Sequence, residues 1–177
     1  MGVKIHRDRS RKLPTLSQES YIERILENFK MDKCKPMDTP ISKGQTLSFE
    51  MCPKTSNEQN EMTRVPYSNA VRSLIYAMMC TRPNNCYVVG LVSKAKHWNT
   101  VKKILTYLKG TTDYSLCYQG DDLRLIGYTD VDWGGDLDER KSTSGYVFLL
   151  SRDVISWSSK KQTRTTLSTM EAEYVAC

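Results

Sequence analysis

Two carboxylates in the last third of the chain have the type and placement to hold a divalent metal ion. Asp130 ends an apolar segment with the alternation of a strand, where a charge is costly without a partner or a metal. Glu171 lies in the first turn of a predicted helix further along the chain. A strand acid and a helix-start acid can converge on one ion, and two such ions can hold a phosphodiester for hydrolysis of nucleic acid. The two residues are therefore candidate metal ligands.

Both carboxylates also have an ordinary structural explanation. Glu171 completes the pattern S-x-x-E that starts at Ser168, and this pattern is the capping box of a helix N-terminus. Asp130 can open a turn that continues through Gly134 and Gly135. From spacing alone the structural roles are favoured, because short motifs often match by chance.

The elements that must position these acids are three strands and a helix. Alternating or β-branched and aromatic runs predict strands at residues 125–130, 145–150 and 154–158. The interval 151–153 is short enough for a hairpin turn. The capping box predicts that the helix occupies residues 170–177.

The segments YTDVDWGGDLDERKSTSGYVF, ISWSSKKQ and LSTMEAEYVA resemble the ribonuclease H region of copia-type LTR retrotransposon polyproteins. The resemblance implies that Asp130 and Glu171 are catalytic residues that bind Mg²⁺ and act on the RNA of RNA–DNA hybrids. The family also uses a third carboxylate on a fourth strand, downstream of the helix. Because the given sequence ends at Cys177, we expect an incomplete metal site and an inactive chain.

The N-terminal third resembles a neighbouring part of the same polyproteins. Residues 1–17 predict a hairpin, and Ser17 is predicted to cap a helix with Ile22, Ile25 and Leu26 on one face. This opening resembles the end of the copia reverse transcriptase, so residues 1–33 would be the primer-contacting hairpin and the start of the thumb. The polymerase motif Tyr-x-Asp-Asp is absent from the chain, and polymerase activity is not expected.

The middle of the chain is predicted to be a linker followed by helices. Residues 34–66 are rich in Pro, Ser, Thr and Asn, include Gly44, and predict a partly disordered loop. Residues 67–112 predict a helical connector of three helices, 67–82, 84–95 and 98–109, with a C-cap at Gly110. Ile75, Met78 and Met79 are expected in its core. Residues 113–119 predict a strand that leads into the ribonuclease-like domain, 113–177.

The predicted fold class is therefore α+β. It consists of a partial ribonuclease H-like sheet, with three antiparallel strands and one helix, preceded by a helical connector and an N-terminal β-hairpin.

Composition adds a basic surface to this description. The 177 residues carry 26 Lys and Arg against 20 Asp and Glu, a net charge of +6, which favours polyanionic partners such as nucleic acid. Some aromatic and basic side chains near the strands could contact a duplex backbone, although a solvated surface is an alternative explanation. These candidates are Trp133, Arg140, Lys141, Lys160, Lys161 and Arg164.

Other classes of protein are less consistent with the sequence. Apolar runs are too short for a membrane span and the N-terminus lacks a secretory signal, so we expect a location in the cytoplasm or nucleus. Six cysteines without a C-x-x-C pair, and only two histidines, do not predict a zinc site.

Three interpretations of function stay open. The first is a catalytically incomplete fragment of a retrotransposon reverse transcriptase and ribonuclease H. The second is a repurposed nucleic-acid-binding or protein-interaction module, because SNAVRSLIYAMMCTRP resembles copia-like plant-pathogen effectors that suppress host cell death. The third is a ribonuclease H completed by another chain, or by His6 or Asp113.

Overall fold

The computed structural model describes residues 2–41, 47–94, 96–119, 123–150 and 152–177. Its residues form two compact units. One unit combines Met1–Gln18 with Tyr114–Cys177, and the other is Glu19–Asp113. The described residues contain six α-helices and two three-stranded antiparallel sheets, which confirms the α+β class. The predicted division at residues 33, 66 and 112 stays a prediction.

The first sheet is built on the N-terminal hairpin. Strands β1 (Lys4–Asp8) and β2 (Leu13–Ser17) pair antiparallel, with Ile5 opposite Leu16. The carboxylate of Asp8 accepts hydrogen bonds from the backbone of Ser10 and Arg11 at 3.0 and 3.1 Å. The side-chain hydrogen bond from Ser10, followed by the backbone bond from Arg11, lowers the pKa of Asp8. These bonds stabilise the turn of the hairpin that the sequence predicted.

A short third strand completes this sheet. Strand β3 (Ser115–Cys117) pairs with β2, placing Leu116 opposite Leu16. The sequence predicted no partner for the strand within residues 113–119, and in the structure this strand pairs with the N-terminal hairpin. Leu116 is buried in this pairing. The pairing joins segments a hundred residues apart, so the local periodicity of the sequence cannot predict it.

The second sheet has the order β4-β5-β6. Strands β4 (Leu125–Asp132), β5 (Thr143–Leu150) and β6 (Asp153–Lys161) are antiparallel, and helix α6 (Thr169–Ala176) follows them. Three antiparallel strands and one helix are the arrangement predicted for this segment. Of the predicted turn at 151–153, Ser151 lies outside the described residues, and Arg152 has a φ of 66°.

The helical unit contains the main apolar core. Its helices are α1 (Glu19–Asn28), α2 (Ser56–Thr63), α3 (Tyr67–Cys80), α4 (Cys86–Lys94) and α5 (Trp98–Gly110), with 3₁₀ turns at Phe49–Met51 and Pro83–Asn85. Fully buried Ile22, Leu74, Val89 and Ile104 come from four of these helices. Each contributes one apolar stripe, because residues three and four apart share a helix face.

Some predictions for this unit need correction. Residues 34–66 are not all loop, because Thr55 and Glu58 form a capping box that starts α2. This helix was missed because it buries no side chain and so has no apolar stripe. Ile75 and Met78 pack against the core as expected, whereas Met79 is 66% exposed. Gly110 is the last residue of α5 rather than its cap, which is Thr111. Gly44 and Ala95 lie outside the described residues.

Every helix in the described ranges is too short or too polar to cross a membrane.

Candidate functional site

Asp130 lies near the end of the edge strand β4. It is exposed and stands opposite Gly145 of β5. The residue before it, Thr129, lies with its Oγ1 3.7 Å from Sγ of Cys177, the residue that follows α6. Because successive residues of a strand point to opposite faces, the side chain of Asp130 points away from the face on which Thr129 meets the helix.

Helix α6 is held on that face by a buried glutamine. Nε2 of Gln162 donates to Oγ of Ser144 at 2.7 Å and to the carbonyl oxygen of Ala172 at 2.9 Å. Ser144 stands opposite Val131 in the register, so it shares the face of Thr129. Ala172 is completely buried. The side chains of Ala172 and Gln162 therefore both contribute to attaching the helix.

Glu171 has a structural role at the start of α6. The backbone N–H of Glu171 donates to Oγ of Ser168 at 3.2 Å, which is the predicted N-cap. The carboxylate of Glu171 accepts a hydrogen bond from the backbone N–H of Leu167 at 2.8 Å. In a capping box the donor would be Ser168 itself, so the reciprocal bond is displaced by one residue. The carboxylate stabilises a helix terminus in this arrangement.

Asp130 and Glu171 do not belong to a larger cluster of candidate metal ligands within the described residues. No group of three or more His, Cys, Asp or Glu side chains in the described part of the chain could hold a metal ion. Two divalent ions about 4 Å apart need several carboxylates to neutralise and position them. Asp130 and Glu171 have different surroundings, and their role as ligands stays a prediction.

Two of the predicted nucleic-acid-binding lysines are engaged in ion pairs. Nζ of Lys161 on β6 binds the carboxylates of Asp136 and, at 3.3 Å, Glu139. Lys141 binds Glu139 at 2.6 Å. These contacts close the loop between β4 and β5, since Asp136 and Glu139 both lie in that loop. The sequence did not identify Asp136 or Glu139 as an ion-pair partner, because no local pattern shows which lysine will contact an acid in a distant loop.

The ion pairs shift the pKa values of their members. Burial opposes the charged form of Lys161, but its bonds to Asp136 and Glu139 outweigh this effect and raise its pKa. The pKa of Glu139 is lowered, first by the hydrogen bond from Lys141 and then by that from Lys161. Lys161 has only 15% of its side chain exposed. It supports the loop rather than offering a free charge to a ligand.

The other candidate residues are open to solvent. Lys160, Arg140 and Arg164 are exposed, and Trp133 is 49% exposed. Lys160 stands opposite Ser144, on the face that carries α6. The structure thus divides the predicted basic set into exposed residues and residues used in ion pairs.

A polar network near the end of the sheet was not anticipated. Ser142 is buried, accepts from the backbone N–H of Gly134 at 3.1 Å, and lies 3.2 Å from the hydroxyl of Thr166. The backbone N–H of Gln162 donates to the carbonyl of Ser142 at 2.8 Å. Hydropathy gives no signal for such residues, because polar side chains are mostly exposed.

The fold and the sheet geometry define an α+β protein whose C-terminal strands and helix follow the order expected from the resemblance. Comparison with known proteins gives the family. The chain is 51% identical, over 99% of its length, to the retrovirus-related Pol polyprotein from transposon TNT 1-94 of Nicotiana tabacum. It is 37% identical, over 90% of its length, to the Pol polyprotein from transposon RE2 of Arabidopsis thaliana. The chain belongs to the copia-type retrovirus-related Pol polyproteins.

The chain spans only 14% and 11% of the lengths of these two polyproteins. A third relative is shorter. The chain is 42% identical over 122 residues to secreted RxLR effector protein 161 of Plasmopara viticola, and this alignment covers 86% of that protein and 65% of the chain. No protein-family model and no solved structure matches the chain.

Proposed function

We propose that residues 125–177 are the opening part of a ribonuclease H-like domain, and that β1, β2 and α1 are the end of a reverse transcriptase. The observation that supports this most directly is the order of elements after residue 125. Three antiparallel strands are followed by a capped helix, with Asp130 on the first strand and Glu171 in the first helical turn. This is the order that the resemblance to copia-type polyproteins implies.

In this proposal the segment binds nucleic acid and does not hydrolyse it by itself. Binding is supported by the net charge of +6 and by the exposed side chains of Lys160, Arg164 and Trp133. Cations close to phosphates release counterions, so affinity arises without base recognition. The proposed lack of hydrolysis is supported by the role of Glu171, whose carboxylate accepts a hydrogen bond at the start of α6.

The binding test is the dependence of affinity on salt. Fluorescence anisotropy with a labelled RNA–DNA hybrid should show affinity that falls linearly on a log–log plot, with a slope of about −0.9 per phosphate contacted. The double substitution Lys160→Ala with Arg164→Ala should make the slope shallower by about 2. Lys109→Ala is the matched control, because Lys109 is an exposed lysine of the helical unit.

The control should bind like the unaltered chain. If the double substitution leaves both affinity and slope unchanged, these residues do not form the interface. If the unaltered chain does not bind the hybrid at low salt, the nucleic-acid-binding proposal itself is wrong.

A second candidate function is a protein-interaction module. The observation that favours it is the effector relative, most of whose length aligns with this chain. Salt-independent binding to a protein, together with no binding to nucleic acid at low salt, would support this alternative over the first. The anisotropy measurement with the hybrid therefore tests the first candidate, and the second needs a separate binding measurement with a protein.

A further inference from the structure

A pocket in the helical unit contains a cysteine beside a buried histidine. The pocket has a volume of about 430 Å³ and lies among the 3₁₀ turn at Phe49–Met51, helix α2 and the start of α5. Within it, Sγ of Cys52 lies 3.8 Å from Nε2 of His97. His97 is only 7% exposed, so its ring is turned into the unit.

The histidine is held in place by its backbone. The N–H of His97 donates to the hydroxyl of Tyr67 at 3.1 Å, and that hydroxyl donates to the carbonyl of Val92 at 2.6 Å. His97 precedes α5 but its side chain does not cap the helix. The imidazole is therefore positioned toward Cys52 by packing and by its own backbone, rather than engaged at the helix terminus.

A thiol next to an imidazole is a nucleophile next to a base. Nucleophile and base in enzymes lie within hydrogen-bond reach, and the contact is often longer before a ligand binds. The walls of the pocket include Leu47, Met62 and Trp98, and its charged residues are Glu58, Glu61 and Lys96. Apolar walls with one more negative than positive charge favour small uncharged molecules over anions.

We propose that Cys52 and His97 form a nucleophile–base pair, and that Cys52 is the site at which small uncharged electrophiles modify this chain. In the reaction with a haloacetamide, sulfur forms a bond to the methylene carbon, the carbon–halogen bond breaks and halide leaves. The thiol proton passes to Nε2 of His97, and no oxidant or reductant is needed. This inference goes beyond the proposed nucleic-acid binding and does not depend on it.

The other cysteines provide internal references for a test. Cys117 and Cys177 are exposed, whereas Cys34, Cys80 and Cys86 are half-buried like Cys52. The reduced full chain is treated with short pulses of iodoacetamide, and alkylation of each cysteine is measured by peptide mass spectrometry. Cys52 is expected to react faster than Cys117 and Cys177, although it is less accessible.

The variant His97→Gln keeps a polar side chain but removes the base. The rate of alkylation of Cys52 should fall by at least about 10-fold, because a positioned base contributes about 100-fold or more to a rate. The rates at the other five cysteines should change little. Cys52 reacting more slowly than both exposed cysteines in the unaltered chain would overturn the inference. So would an equal rate at Cys52 with and without His97.

Unfolding of the variant would be recognised by convergence of its six alkylation rates. In that case the alkylation rates of the unaltered chain are measured in urea, where the fold is lost. Loss of the advantage of Cys52 on unfolding would support a pair made by the fold, and an advantage that persists in urea would overturn it.

Discussion

Nζ of Lys161 on strand β6 binds the carboxylate of Asp136 in the loop between β4 and β5. The same ammonium also reaches Glu139 at 3.3 Å. Lys161 and Lys160 are adjacent in the sequence but differ in their contacts. Lys160 is exposed, whereas Lys161 ties the last strand to the first loop of the sheet.

Substitution of Lys161 should lower the stability of the fold more than substitution of Lys160. Lys161→Ala leaves Asp136 with its partner removed, and we expect a loss of about 2 kcal/mol in the free energy of unfolding, in the range for hydrogen bonds to charged groups. Lys160→Ala should change stability by less than about 0.5 kcal/mol, as surface substitutions usually do. Urea unfolding followed by circular dichroism measures both. Equal losses in the two variants would contradict the assigned role.

The ion pairs also predict how stability depends on pH. The pKa of Lys161 is raised in the folded state, so its contribution is present below its ordinary value of 10.5 and is lost as pH rises through the folded value. The pKa of Glu139 is lowered, so its contribution is present above its ordinary value of 4.5 and is lost as pH falls through the folded value. The free energies of unfolding of the unaltered chain and of Lys161→Ala should therefore differ most between pH 4.5 and pH 10.5. A difference in the free energy of unfolding that does not shrink as pH rises above 10.5 would contradict the assignment for Lys161.

Gln162 should decide whether α6 stays attached to the sheet. Gln162→Ala removes the hydrogen bonds to Ser144 and to the carbonyl of Ala172, and leaving buried polar groups without partners costs about 1–3 kcal/mol each. We expect faster hydrogen–deuterium exchange at the amides of Ala172–Ala176 than in the unaltered chain. Gln59→Ala on the exposed helix α2 is the control. Unchanged exchange in α6 would show that the two hydrogen bonds of Gln162 are not needed to hold the helix.

The chain should not cleave the RNA strand of an RNA–DNA hybrid, even with millimolar Mg²⁺ or Mn²⁺. The physical reason is that the described residues bring no third carboxylate to Asp130 and Glu171, and two dications need several. A labelled hybrid is incubated with the chain and with Asp130→Asn, Glu171→Gln and Glu173→Gln. Glu173 is included because it lies one helical turn before Cys177, which contacts Thr129. Metal-dependent cleavage that disappears in any of these variants would show a complete site.

The free edge of β4 should make the chain prone to association. In the described sheet β4 pairs only with β5, and Leu125, Ile126 and Tyr128 on it are exposed. An edge strand with apolar side chains can pair with another chain, and a charged residue on the edge prevents this. Tyr128→Lys should lower the rate of concentration-dependent association measured by light scattering. Tyr114→Lys, an exposed tyrosine before β3, is the control. An equal effect of both substitutions would indicate that net charge alone is responsible.

Local chemistry was sufficient to predict the elements of the C-terminal segment. The alternation in β4, the β-branched runs of β5 and β6, and the pattern from Ser168 to Glu171 all act between residues close in sequence. For the same reason the apolar stripe of α1 correctly predicted the buried residues Ile22, Ile25 and Leu26. Helix α2 was missed because its capping box precedes a helix without any apolar face.

The partners of these elements were decided only by the tertiary structure. Strand β3 joins β2 rather than the second sheet, and Lys161 rather than Lys160 folds onto the acidic loop. The contact between Cys52 and His97 likewise joins residues 45 positions apart. Such contacts depend on which long-range arrangement buries the most apolar surface while pairing its polar groups. Periodicity reports the face on which a residue lies, and only the folded chain shows what covers that face.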